Sequence, residues 1–278
     1  MKFRALIRDQ QSCREFHDII TTISKVAHNK EAAIIIKTNQ IQLVVSENAA
    51  HSIPSIWAEV DKDSFFPEYI MSGVDEEHNN QIVLTFNPIK MANALTMLKG
   101  VVKYCKIKLT NKDFPCLTVQ LEVPSTTGRQ ITHDVPVTVI PTRDWAEFEI
   151  PQLPDFKSVI SMPTLKSIRN LVEKIKNLAS HITFFCNNSG EIAMVVETDE
   201  VTVASNYKNL EVQLDDPDDK NLEVSCRVSA KELGIYFSCN QFQDLKMYCC
   251  ATQDHVLKIV VEVRPFVSLN CILWAVAL

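Results

Sequence analysis

The chain has 278 residues, 46% of them hydrophobic and 22% charged, a balance that excludes a chain disordered along its length. Its formal net charge of -6 argues against a protein that simply coats nucleic acid and still leaves room for a local basic face. The length allows one large domain or two of ordinary size. The opening MKFRALIRDQ lacks an apolar stretch of signal-peptide length, and no run approaches the ~20 apolar residues of a membrane span. An intracellular protein with no membrane partner is expected. The nine cysteines are odd in number and contain no C-x-x-C pair, so buried free thiols in a reducing compartment are expected.

In chain order, Lys2–Ile7 alternates with Phe3, Ala5 and Ile7 on one side, the pattern of a half-buried strand. Ser12 is a candidate cap for a helix that sets Phe16, Ile19, Ile20, Ile23, Val26 and Ala27 on one face. Strands are predicted at Ala32–Lys37, Gln40–Ser46, Ser55–Val60, Phe65–Met71 and Gln81–Phe86. Pro88 suits the first turn of a second helix reaching about Val101, which buries Met91, Ala94, Leu95 and Leu98. Strands resume at Tyr104–Asn111, Phe114–Glu122 and Gln130–Ile140. Pro136 lies inside the last of these and lacks a ladder donor, so that strand is predicted to lie at an edge or to bulge. Such an edge is either blunted or open to another chain.

Residues 141–157 hold three prolines and no sustained period, and form the predicted connector between a domain at 1–140 and one at 158–278. Its apolar residues Trp145, Phe148, Ile150 and Leu153 either pin it to the body or offer docking anchors. The second half repeats the order of the first. A strand near Ser158–Met162 precedes a helix over Pro163–Ser180, with Leu165, Ile168, Leu171, Val172 and Ile175 on its apolar face. Strands at His181–Asn187, Glu191–Thr198, Val201–Tyr207 and Leu222–Val228 lead to a helix over Ala230–Asn240, with Gly234 in its interior. Strands at Lys246–Ala251 and Val256–Val263 follow. Repetition of a mixed unit points to an α+β fold built by duplication, and to a binding scaffold rather than to chemistry.

Charge is segregated by element. Lys25, Lys90, Lys99, Lys166, Arg169, Lys174 and Lys176 make the helices net basic on an acidic chain. This is either an ordinary solvated set of lysines or a surface that meets phosphates. The features that enzymes need are missing. The five glycines are isolated, which weighs against phosphate loops and nucleophile elbows. His133 and Asp134 are adjacent in a strand and therefore point to opposite faces. Asp215, Asp216, Asp218 and Asp219 flank Pro217 without the alternating ligands and central glycine of a calcium loop. The remaining histidines show no ligand spacing, so no metal, cofactor or catalytic residue is expected.

The segments MKFRA, FFPEYIMSGVDEEHNN, IKLTNKDFPCLTV and THDVPVTVIP closely resemble the Hus-type subunit of the nine-one-one checkpoint clamp. Weaker similarity continues through LVEKIKNLASHI and ASNYKNL, thins over 211–255, and gives way at Cys271–Leu278 to an ending unlike the family's. The resemblance implies a sliding-clamp fold like that of a PCNA subunit, with two similar domains, outer sheets and inner helices. It implies a non-enzymatic subunit that joins two different clamp subunits in a nuclear ring around double-stranded DNA, without sequence preference. A clamp loader would place the ring at damage, and checkpoint and repair proteins would bind it. By the same resemblance, the subunit edges are the strand carrying Ile131, His133, Val135 and Val137 and the strand carrying Val201, Val203, Ser205 and Tyr207, and the basic helix residues named above face DNA. A homotrimeric processivity clamp and, further off, a relative of a nucleic-acid-processing enzyme are the competing readings.

Overall fold

The computed structural model describes residues 1–45, 54–74, 80–124, 128–156, 158–214, 223–240, 242 and 245–276. The acidic run at Asp215, Asp216, Asp218 and Asp219 lies outside them. The chain divides into two units, with the break after Ile150, inside the predicted connector.

The first unit contains β1 (Lys2–Ile7), α1 (Gln10–Ala27), β2 (Ala32–Ile36), β3 (Gln40–Val45), β4 (Ser55–Asp61), α2 (Lys62–Phe65), β5 (Glu68–Ser72), β6 (Ile82–Phe86), α3 (Pro88–Ala94), β7 (Tyr104–Asn111), β8 (Pro115–Val123) and β9 (Arg129–Val139). Its strands run in the order β5-β1-β7-β8-β9-β6-β2-β3-β4. Strand β9 is the corner. Arg129–Pro136 pairs with β8, and Val137–Val139 pairs with β6. Pro136 is the residue at which the partner changes, where a missing N–H costs the ladder nothing.

Three local expectations are corrected. Asp9, not Ser12, caps α1: the Asp9 carboxylate accepts from the Ser12 N–H at 2.7 Å. Ser12 itself is buried on the third residue of the helix. The predicted strand Phe65–Met71 is split. Asp61 accepts from the N–H and hydroxyl of Ser64 and nucleates the short helix α2, while Phe65 and Phe66 pack on Phe16. Strand β5 begins only after Pro67. The second helix ends at Ala94 rather than near Val101, and Thr96–Lys99 tightens into a 3-10 turn. There the Thr96 hydroxyl donates to the Ala92 carbonyl, a local bond that competes with the helical ladder.

The second unit contains β10 (Ser158–Ser161), α4 (Leu165–Ile175), β11 (His181–Asn187), β12 (Glu191–Glu197), β13 (Thr202–Tyr207), β14 (Val212–Leu214), β15 (Glu223–Ser229), α5 (Ala230–Cys239), β16 (Lys246–Thr252), β17 (Val256–Arg264) and β18 (Val267–Trp274). One sheet is ordered β14-β10-β16-β17-β18, the other β13-β12-β11-β15. Strand β14 is too short to leave a period, and β18 continues through Cys271, where an ending unlike the family's is expected. Arg264–Ser268 clusters with the first unit rather than the second. There the Arg264 guanidinium donates to the Ser12 hydroxyl and the Ser64 carbonyl at 3.0 Å each, pairs with Glu15, and lies 4.6 Å from the Phe65 ring centre.

Each unit sets a helix pair against its own sheets: α1 packs on α3, and α4 on α5. The core of the first unit is the buried α1 stripe, including Phe16, Ile19, Ile20 and Ile23, against strand residues such as Ile36, Leu43 and Leu84. Burying each such side chain is worth about 1.5–3 kcal/mol. All nine cysteines are free, and burial pushes the Cys13 and Cys226 thiols up to about 12, so these two are inert as nucleophiles.

Candidate functional site

The basic helix residues separate into two groups. In α4 the buried residues Leu165, Ile168, Val172 and Ile175 define the core face. At 100° per residue, Lys166 and Lys174 fall on the opposite side, and both are exposed. Arg169 and Lys176 fall on the flank, toward α5. The Arg169 guanidinium donates to the Phe237 and Asn240 carbonyls at 2.9 and 2.6 Å, closing the carbonyl end of α5. The Lys176 ammonium pairs with Glu173 at 2.7 Å. Its stem lies against Gly234, where an added Cβ would meet the Lys176 Cδ at 3.1 Å. The interior glycine of α5 is therefore what a close helix crossing requires.

In the first unit Lys25 lies in the last turn of α1, Lys90 in the first turn of α3, and Lys99 in the 3-10 turn beyond it. All three are exposed. Among the described residues, Lys25, Lys90, Lys99, Lys166 and Lys174 make no ion pair, so their charge is available to an anion. Sequence periodicity alone missed that Arg169 and Lys176 are already engaged, because their neighbours on α5 are invisible to it.

The two strands singled out as edges differ in what they expose. On β9, Val135 and Val137 are 2% and 8% exposed, and Ile131 and His133 are half-buried. These four side chains face their own unit, and Gln130, Thr132, Asp134 and Pro136 are the outward ones. Over Arg129–Pro136 the strand has β8 on one side and, among the described residues, no strand on the other. What this stretch offers a neighbour is main chain. Asp134 accepts from Lys112 at 2.6 Å and from the Thr118 hydroxyl, and these bonds hold its carboxyl below the usual range.

On β13, Val203, Ser205 and Tyr207 are half-buried, and Val201 precedes the strand at 49% exposure. Strand β13 pairs with β12 and, among the described residues, ends its sheet. Beside its end, Glu191 accepts from Asn187 and from Lys208, which depress its pKa in that order.

The connector is partly committed to its own unit. Thr142–Phe148 coils into a 3-10 segment, and the Trp145 indole N–H donates to the Ile140 carbonyl at 2.9 Å. Trp145 is 7% exposed and pins the strap, whereas Phe148, Ile150 and Leu153 are half-buried. Trp145, Glu149 and Ile150 border a recess of about 300 Å³ whose other walls are Ile35, Lys37, Gln42, Gln81 and Val83.

Residues 1–277 match the family described as Hus1-like protein. The chain belongs to the Hus1-like family. It is 31% identical to "Checkpoint protein Hus1-like" of Drosophila melanogaster over the full length of both chains. It is 36% identical to "Checkpoint protein HUS1" of Homo sapiens over 76% of this chain and 74% of that one. In three dimensions it resembles the proliferating cellular nuclear antigen of Entamoeba histolytica, with a TM-score of 0.74, 12% identity and 99% coverage of each chain. The fold is thus the sliding-clamp fold, and the chain is a checkpoint clamp subunit. Clamps of this kind are scaffolds. Among the described residues no group of three or more His, Cys, Asp or Glu gathers in a way that could hold a metal ion, and no helix is long and apolar enough to cross a membrane.

Proposed function

We propose that this chain joins two different clamp subunits in a ring around double-stranded DNA in the nucleus and works without turnover of its own. In this reading a clamp loader places the ring, which then holds checkpoint and repair proteins. The observation that carries it is the pair of open strand edges, β9 over Arg129–Pro136 in one unit and β13 in the other, on a chain of the Hus1-like family. An unpaired edge supplies main-chain hydrogen bonds to a neighbouring subunit, and the flanking side chains select which neighbour is accepted. Light scattering on the purified chain should give no closed ring, with assembly only when the two other subunits are added. A stable homotrimer would favour the processivity-clamp reading.

Lys25, Lys90, Lys99, Lys166 and Lys174 are the residues proposed to face DNA, with Arg169 and Lys176 contributing less because their heads are occupied. Phosphate binding without base reading suits a ring that must slide. Replacing Lys166 and Lys174 together by Glu should weaken binding of the assembled ring to DNA. The salt slope should flatten by about 0.9 for each phosphate no longer neutralised. An unchanged slope would assign these lysines to ordinary solvated surface.

The recess bordered by Trp145 and Ile150 is proposed to receive an apolar side chain of a client peptide. Ile150→Ala should weaken peptide capture and leave the melting temperature nearly unchanged. A large fall in melting temperature would mean that the strap only pins itself.

A further inference from the structure

The first unit carries a second basic surface that the ring reading does not use. It lies on the face of the β5-β1-β7-β8 sheet turned away from α1. The opposite face holds Phe3, Ala5, Cys105 and Ile107, all buried. Alternation along β1 and β7 therefore puts Lys2, Arg4, Lys106 and Lys108 together on the free face.

The register makes this a cluster rather than a scatter. Arg4 stands directly opposite Lys108 on β7 and opposite Ile70 on β5, so Ile70, Arg4 and Lys108 form one row across three strands. Lys106 is one step along β7, with its ammonium 5.3 Å from the centre of the Tyr104 ring. Lys2 is one step along β1. With strands ~4.8 Å apart and same-face residues ~7 Å apart, Arg4, Lys108 and Lys106 lie within about 10 Å of one another, and Lys2 extends the patch to about 15 Å.

Two features indicate that something anionic covers it. Like charges directly opposite across a strand pair destabilise the sheet, and Arg4 and Lys108 face each other in this way with Glu68 offsetting only Arg4. The carboxylates on the same face are already committed: Glu68 to Arg4, Glu122 to Lys103 and Asp134 to Lys112. Among the described residues, Lys2, Lys106 and Lys108 have no carboxylate partner, on a chain whose net charge is -6.

We propose that this face docks an acidic polypeptide segment that sets an apolar side chain on Ile70 and carboxylates over Lys108 and Lys106, past the Arg4–Glu68 pair. Ile70 is 51% exposed at the end of the row, an anchor that suits a peptide side chain. The ~10 Å from Ile70 to Lys108 corresponds to about three residues of extended chain. The segment is thus an apolar residue followed by two or three acids within about four positions. A nucleic-acid strand fits less well. It favours a continuous basic groove with exposed aromatic platforms, whereas this patch is short and is flanked by Glu68, Glu122 and Asp134. The proposal is independent of the ring and of the DNA-facing helices.

The test is fluorescence anisotropy with the full chain and a labelled twelve-residue peptide carrying one Leu followed by four Asp or Glu. Lys106→Glu with Lys108→Glu should weaken binding at least tenfold, and Lys106→Gln with Lys108→Gln severalfold. Lys166→Glu with Lys174→Glu, on α4 of the second unit, should leave it unchanged. Moving the Leu to the other end of the peptide, or replacing Ile70 by Ser, should weaken binding severalfold at constant charge. Lys108→Thr alone should raise the melting temperature by about 1–3 °C through relief of repulsion with Arg4, while weakening the peptide. Equal binding by wild type and the Lys106/Lys108 variants overturns the proposal. So does tighter binding of a single-stranded oligonucleotide of matched charge that the same variants abolish, which would make this a nucleic-acid surface.

Discussion

The two units solve the same problem with different chemistry. Each must close the carbonyl end of a helical segment packed on its first long helix, where helical carbonyls lack partners. In the first unit Gln10 of α1 does this for the 3-10 turn Thr96–Lys99 beyond α3. Its amide nitrogen donates to the Leu98 and Gly100 carbonyls, and its amide oxygen accepts from the Val102 N–H at 3.3 Å. In the second unit Arg169 of α4 donates to the Phe237 and Asn240 carbonyls. A neutral amide ties off one end and a guanidinium the other. The first unit keeps Lys25, Lys90 and Lys99 free for an outside anion, while the second ties up Arg169 and Lys176 internally. Two residues of the same charge on the same amphipathic helix can therefore differ in role, according to which neighbour they reach.

The sharpest way to break this comparison is to remove the two tethers in parallel. Arg169→Ala should destabilise the second unit by about 2–3 kcal/mol, because two charge-assisted bonds vanish and leave their carbonyls unpaired. Gln10→Ala should cost about 1 kcal/mol. Arg169→Lys should recover less than half, since an ammonium cannot span both carbonyls as the planar fork does. Urea denaturation of the variants measures all three, and equal destabilisation at Arg169 and Gln10 would erase the distinction.

The helix starts differ as well. Asp9 caps α1, whereas Thr164, the cap residue of α4, makes no side-chain bond to the helix. Asp9→Ala should cost about 1 kcal/mol, and Thr164→Asp should gain about 0.5–1 kcal/mol, both read from the denaturation midpoint. Partial burial raises the Asp9 pKa, but the bonds from Ser12 outweigh this and leave it lowered. A carboxyl with a depressed folded pKa contributes stability that is fully present above its unfolded value near ~3.9 and is lost as pH falls through the folded value. Wild type and Asp9→Ala should therefore draw closer in stability as pH falls through the folded pKa of Asp9.

Gly234 tests the close crossing of α4 and α5. Alanine should gain up to ~1 kcal/mol of helix propensity, opposed by its clash with the Lys176 stem, for a net change near zero. Combined with Lys176→Ala, the gain should appear as about 0.5–1 kcal/mol of added thermal stability. A stabilised single variant would mean that the stem moves aside freely.

The smallest expected effect concerns His181 on β11. Burial first, and the nearby Arg227 second, lower its pKa below 6.5. The unfolded chain then takes up a proton at a higher pH than the folded one, so stability falls as pH drops below about 6.5 and levels off once pH passes the folded value. His181→Gln should flatten the stability profile over that window by a few tenths of a kcal/mol, measured by denaturation at fixed ionic strength.

Several strands were legible in the sequence to the residue. Lys2–Ile7, Tyr104–Asn111 and His181–Asn187 alternate apolar and polar positions, and a half-buried strand cannot be written otherwise. Core faces of α1 and α4 were legible because burial on one side imposes the 3.6-residue period. The switch at Pro136 was announced by a residue that cannot donate. Other features carried no local signal. The end of α3 at Ala94, the strand β14 and the capture of Arg264 by Ser12, Glu15 and Phe65 depend on atoms distant in sequence or on segments too short to show a period. The same holds for the basic residues. Sequence determined that the helices are basic, because charge is a property of composition and position. Only the tertiary structure decided which charges are free, because an ion pair or a capped carbonyl is a meeting of groups whose geometry no single segment encodes.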